Sequence, residues 1–175
     1  EEVFHEPDGR FFLHCYRASS EQQLLLSLGS KTTSEVWALD ANQPHLPFSC
    51  LAPRVEDHEY DVDHGLLDGV WTWFIRTNRD GINFALYQAP DTGVPPSEAD
   101  WQNLIPHNEE VMLDGVSLNT EAMTLSLREG GLPIIEVHPQ GSAPYRVQLP
   151  DAAYSLHVQN SLEFESDRIR LRYEA

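Results

Sequence analysis

Short apolar stretches broken by turn residues run the whole length of this chain. Within them, side chains follow the two-residue alternation of a strand and give little sign of a helical period. The pattern predicts strands at Phe11–Arg17, Gln23–Leu28, Ser34–Leu39 and Phe48–Leu51. A second set follows at Glu59–His64, Val70–Thr77, Asn83–Gln88 and Trp101–Ile105, and a third at Val111–Asn119, Ala122–Arg128, Pro133–Val137 and Tyr145–Leu149. Val70, Trp71, Thr72, Trp73, Phe74 and Ile75 form a run of the aromatic and β-branched residues that strands favour. Turn residues punctuate the strands at Glu6-Pro7-Asp8-Gly9, Asn78-Arg79-Asp80-Gly81, Gly130-Gly131 and Gln140-Gly141-Ser142. Shorter strands are predicted at Val3–His5, Ser155–Gln159 and Arg168–Tyr173, and one turn of helix within Ser97–Asn103.

The strands come in fours, and each set ends on a proline: Pro53, Pro106 and Pro150, spaced 53 and 44 residues apart. A repeat of that length built from strands alone is the mark of β-propeller blades. The predicted fold is therefore all-β: a partial β-propeller spanning 1–175, with three complete four-stranded antiparallel blades at about 11–53, 59–106 and 111–150 and part-blades at 3–5 and 155–175. A blade buries its faces only against neighbouring blades, and three do not close a ring. The expectation is a piece of a larger protein, whose missing blades are its natural partners. Unpaired edges and uncovered faces predict that the isolated piece self-associates.

Charge narrows the partners. Twenty-eight acidic residues against 11 basic ones leave a formal net charge of -17. That excludes a nucleic-acid surface, which needs a basic stripe, and suits a basic partner drawn in by long-range attraction. No apolar run is long enough to span a membrane as a helix. Cys15 and Cys50 form no paired motif and are expected to be buried free thiols of a reducing, cytoplasmic compartment.

The densest polar cluster runs from Asp57 to His64. Strand alternation puts Asp57, Glu59, Asp61 and Asp63 on one face and His58, Tyr60, Val62 and His64 on the other. The first strand of a blade lines the central channel, so His58, Glu59, Asp61, Asp63 and His64 are candidates for a charged channel wall that steers substrate. A metal-binding β-domain centred on the same residues is an alternative, weakened because a flat ladder does not wrap an ion. Arg76, Asn78 and Arg79 sit at a strand end and turn and are candidates for ion pairs within or between domains. Arg168, Arg170 and Arg172 alternate along the last strand and are expected to meet carboxylates of a neighbouring blade. No Gly-x-Ser-x-Gly elbow is present. No catalytic residue, metal set or cofactor site is expected.

Thr32-Thr33-Ser34-Glu35, Leu39-Asp40-Ala41, Pro53-Arg54, His58-Glu59-Tyr60, Asp63-His64, Arg76-Thr77-Asn78, Gly81, Asn83-Phe84, Trp101–Pro106 and Met112-Leu113-Asp114-Gly115 follow one another in a distinctive order. That ordered set resembles the propeller of the oligopeptidase B (protease II) branch of the prolyl oligopeptidase family of serine peptidases. The similarity fades after Arg128. The resemblance implies a seven-bladed propeller joined to an α/β-hydrolase domain, which is absent from this chain. It implies a parent enzyme that cleaves short peptides after Arg or Lys, with the propeller gating access. None of the family's catalytic residues maps onto a position here, so the segment alone is expected to be inactive. A protein-interaction propeller scaffold is the remaining alternative.

Overall fold

The computed structural model describes residues 2–159 and 163–175. Local chemistry sets the hairpins first. Asp68-Gly69 and Gly130-Gly131 place two successive residues at positive φ (48° and 79°, 57° and 83°), the geometry that lets a two-residue turn match the twist of its strands. They join β5 (Tyr60–Leu67) to β6 (Val70–Thr77), and β10 (Ala122–Glu129) to β11 (Leu132–Pro139). The remaining strands are β1 (Phe12–Arg17), β2 (Gln23–Gly29), β3 (Ser34–Asp40), β4 (Ser49–Cys50), β7 (Ala85–Pro90), β8 (Gln102–Ile105), β9 (Val111–Leu118), β12 (Tyr145–Arg146), β13 (Ser155–Gln159) and β14 (Arg170–Glu174).

They form three four-stranded antiparallel sheets, β1–β4, β5–β8 and β9–β12, each in chain order, and a two-stranded sheet of β13 and β14. Nearest-neighbour order within every sheet is the blade topology that the repeat predicts. A 3-10 turn, Glu98–Asp100, occupies the predicted helical spot. Ser97 holds it by donating both its N–H and its hydroxyl to the Asp100 carboxylate, each at 2.8 Å. Among the described residues no helix is long and apolar enough to cross a membrane.

Three hydrophobic cores lie between successive sheets. The first gathers Leu25, Val36 and Ala38 with Tyr60, Val62, Trp73 and Ile75. The second gathers Phe74, Phe84 and Leu86 with Leu113, Met123, Leu125 and Leu127. The third packs Ile135 and Val137 against Leu156. β6 therefore sends Trp73 and Ile75 to one side and Phe74 to the other. Both its faces are buried, which is why its sequence is a continuous apolar run. Burying Trp73, Phe74 or Leu125 contributes about 2 to 3 kcal/mol each.

Polar ties supplement the cores. The Tyr60 hydroxyl donates to the Ala52 carbonyl (2.7 Å) and accepts the Val36 N–H (2.8 Å), binding β5 to the sheet before it. Gly65 lies where β5 meets β9, and a Cβ there would come within 2.9 Å of Leu118 Cδ1 and 3.4 Å of Phe164 Cε2. Only glycine admits that approach without displacement.

Two expectations need correction. Val3–His5 forms no strand. Its segment lies against the first sheet instead, with Phe4 edge-on to Trp37 (5.3 Å) and Glu6 paired to Arg54 (2.6 Å). The ring contact and ion pair replace the backbone ladder that three residues were expected to supply. Cys15 and Cys50 are free, but Cys15 is exposed, because all six residues of β1 are exposed, and Cys50 is half-buried.

Candidate functional site

The first strands of the sheets converge, and a cavity of about 430 Å³ opens beside them. The end of β1 and its turn contribute Tyr16 to Ser19, β5 contributes Asp61 to Asp63, β9 contributes Val116 to Leu118, and the β13–β14 region contributes Arg168 and Arg170. β1, β5 and β9 are each the first strand of their four-stranded sheet.

Each candidate residue has a definite place. Asp61 and Asp63 line the cavity. Asp61 accepts from Arg76 Nη1 at 2.9 Å. Asp63 accepts the Ser19 N–H at 2.7 Å and the Ser19 hydroxyl at 2.5 Å. Protein packed around Asp61 and Asp63 pushes both carboxyls above the ordinary carboxylate value, against the opposing pull of Arg76 on one and Ser19 on the other. Asp61 keeps 56% of its side chain open to the cavity, so water there weakens the push on it. Glu59 precedes β5 and stands outside the cavity lining; its N–H donates to Asn78 Oδ1 at 2.9 Å.

His58 and His64 lie on one side of the chain but six residues apart, roughly 20 Å along an extended strand. His58 Nε2 meets Thr77 Oγ1 at 2.8 Å, and burial lowers its pKa. His64 is fully buried, with Ser20 Oγ 2.7 Å from Nδ1 and Asp91 Oδ2 3.1 Å from Nε2. Ser20 Oγ also accepts the Gln22 N–H at 3.2 Å. The network is satisfied when Nε2 carries the proton toward Asp91 and Nδ1 accepts the serine hydroxyl. Burial lowers the His64 pKa, opposed by Asp91. The trio has the composition of a catalytic triad, yet its histidine is sealed between Trp71 and Trp73 (5.6 and 4.9 Å). It ties the β1–β2 turn to the second sheet. Among the described residues no three His, Cys, Asp or Glu side chains gather as a metal set, so the metal-binding alternative gains no donor group from this geometry.

Arg76 is an inter-sheet residue. Its Nε donates to the Leu113 carbonyl of β9 at 2.8 Å, and its guanidinium lies 3.7 Å from the Phe84 ring centroid. Asn78 fastens its turn to the entry of β5 through Glu59 N–H and the Asp57 carbonyl. Arg79 reaches Glu98 at 3.5 Å and lies over Tyr87. The last-strand arginines depart from expectation: Arg172 pairs with Glu174 of its own strand and Arg168 with adjacent Asp167, so their carboxylates are local ones. Arg172 and Glu174 lie two apart in β14 and so on one side of it, whereas Arg168 precedes the strand and meets the residue next to it.

A family model described as "Prolyl oligopeptidase, N-terminal beta-propeller domain" matches residues 1–175. The chain belongs to the prolyl oligopeptidase N-terminal β-propeller family. It is 32% identical over 173 residues to dipeptidyl aminopeptidase BI of Pseudoxanthomonas mexicana, covering 98% of this chain and 23% of that protein. It is 26% identical to protease 2 of Moraxella lacunata, covering all of this chain and 24% of the relative. Two solved structures share the fold. Oligopeptidase B from Trypanosoma brucei, closed and with covalently bound antipain, superposes with a TM-score of 0.84 at 22% identity, and oligopeptidase B from Leishmania major with 0.83 at 25%. Each superposition covers 98% of this chain and 25% of the other. The propeller chain thus spans about a quarter of the length of these relatives. Its likeness to oligopeptidase B continues beyond Arg128, the point at which the sequence resemblance fades.

The residues missed from sequence are those that complete the site from elsewhere: Ser19, Ser20, Asp91, Tyr16 and Phe164. Ser19 and Ser20 are each 44 residues from their partners. Only the blade repeat, which places each first strand beside the next, hints at such a pairing.

Proposed function

We propose that this chain forms part of the channel wall of a propeller that limits access of peptides to the catalytic domain of an oligopeptidase B-like serine peptidase. In this reading the propeller admits short peptides, excludes large chains and helps keep water from the reaction chamber. The field of a chain with net charge -17 raises the local concentration of peptides bearing Arg or Lys. Among the described residues, the Ser20–His64–Asp91 group is buried as a structural tie. The observation that carries the proposal is the cavity on the converging first strands, with Asp61 and Asp63 facing it. Preference for Arg and Lys rests on the resemblance to oligopeptidase B.

The test uses the intact polypeptide that carries this chain. Asp61→Asn with Asp63→Asn is expected to lower kcat/KM for a short Arg-ended peptide several-fold at low salt. The effect should vanish as salt screens it. A loss in kcat alone, equal at all ionic strengths, would sink the steering role. Equal cleavage of short peptides and folded protein substrates would sink the gate.

A further inference from the structure

The cavity wall carries both signs of charge in equal number, whereas the chain as a whole is strongly acidic. Four of the chain's 11 basic residues line it, Arg17, Arg76, Arg168 and Arg170, against four of its 28 acidic ones, Glu21, Asp61, Asp63 and Glu163. Cations are therefore concentrated here in a strongly acidic molecule. Two of them are engaged internally: Arg17 with Glu21 at 3.5 Å, and Arg76 with Asp61 and the Leu113 carbonyl. Arg168 and Arg170 are placed differently. The Arg168 side chain is 88% exposed, and among the described residues its ion pair is with its neighbour Asp167. Arg170 is exposed and makes no ion pair among the described residues. They lie two residues apart, and both line the cavity.

The acidic side belongs to another sheet. Asp63 is held in place by neutral donors from Ser19, and Asp61 gives only Oδ1 to Arg76. Neither arrangement exhausts a carboxylate's acceptor capacity. Tyr16, Val62, Leu118 and Phe164 supply apolar wall between the two sides. A simple anion placed here would meet carboxylates, and a simple cation would meet guanidiniums. A ligand with opposite charges at its two ends avoids both conflicts. The volume falls within the range of small-ligand sites.

We propose that Arg168 and Arg170 capture the free C-terminal carboxylate of a short peptide in this cavity, with the peptide's amino end toward Asp61 and Asp63. Guanidinium groups suit a carboxylate because their donors match its two oxygens. The proposal rests on the reading that peptides pass this wall, and adds that they pass it in one orientation. Unblocked peptides are then held better than end-blocked ones of the same sequence.

The experiment titrates the full chain with tetra-alanine, its C-terminal amide and its N-acetyl form, following the backbone amide resonances of residues 61–63 and 168–170. The free peptide is expected to bind about threefold tighter than the amide, the gain of an ion pair made by exposed guanidiniums. That preference should vanish in Arg168→Gln/Arg170→Gln and persist in the control Arg128→Gln, whose guanidinium pairs with Asp114 away from the cavity lining. Equal binding of acid and amide overturns the proposal, as does a preference that survives the double substitution. So does the absence of shifts at these residues at saturating peptide. None of these failures alters the salt dependence of cleavage by the intact enzyme, so the orientation and the steering role are judged separately.

Discussion

Arg76 joins three kinds of interaction at one inter-sheet contact, and their magnitudes decide which one holds it. Its side chain is 16% exposed, while that of Asp61 is 56% exposed. An ion pair so open to water is worth about 0 to 1 kcal/mol. The bond from Nε to the Leu113 carbonyl, at 2.8 Å in a partly buried setting, is charge-assisted and worth about 1.5 to 3 kcal/mol. Contact with the Phe84 face adds about 0.5 to 1 kcal/mol. Arg76→Met is therefore expected to destabilise the fold by roughly 2 to 4 kcal/mol, and Asp61→Asn by less than about 1 kcal/mol. The carbonyl bond dominates, so the double substitution should show a coupling below about 1 kcal/mol. Urea unfolding of the four proteins, compared at constant m-value, measures these differences. A cost for Asp61→Asn equal to that of Arg76→Met, or a coupling above about 2 kcal/mol, would refute the ranking and make the salt bridge the main tie between the sheets.

Two further outcomes follow from the packing. His64 is buried neutral with its pKa lowered, so below about pH 6.5 the unfolded chain binds the proton more readily than the folded one. Its contribution is full above that pH and is lost as pH falls toward the lower folded value. The stability difference between the wild type and His64→Gln should therefore shrink across that window; a difference that is flat with pH from 7.5 to about 5 would show that His64 does not titrate as its burial requires. Gly65→Ala forces a methyl group against Leu118 and Phe164 and is expected to cost about 1 to 3 kcal/mol. Adding Leu118→Ala should give a double variant less destabilised than the sum of the two single changes, and strict additivity in thermal unfolding would argue against the close approach.

Much of the architecture was legible because it is written in short-range patterns. Strand periodicity, aromatic and β-branched runs, and prolines at a blade-length spacing specify hairpin-linked sheets from local conformational preference alone. The small misplacements show where local information stops. Val3–His5 has strand-like residues, but a strand requires a partner ladder, and the segment found Trp37 and Arg54 instead. The first strand of the second sheet runs on past His64 through Gly65 to the Asp68-Gly69 turn, a hairpin signal that the chain itself carries.

From Tyr60 to His64 the residues of that strand alternate between buried and more exposed positions, because the pleat dictates it, whereas Asp57, His58 and Glu59 precede the strand, Asp57 in a turn at positive φ, and the alternation does not extend to them. It did not say which face would be sealed or what would meet it. That was decided when the first sheet's turn brought Ser19 and Ser20 to Asp63 and His64, and when Arg76 reached across to Leu113. The difference has a physical cause. Strand and turn preferences act between residues a few positions apart, whereas burial, pairing and pKa depend on groups from fifteen to more than forty residues away that only sheet packing brings within hydrogen-bond range. The sequence by itself determined the blades, their order and the surplus of negative charge; the tertiary structure alone decided that the cavity wall would carry both signs, with Asp61 and Asp63 from one sheet and Arg168 and Arg170 from the chain at and before β14.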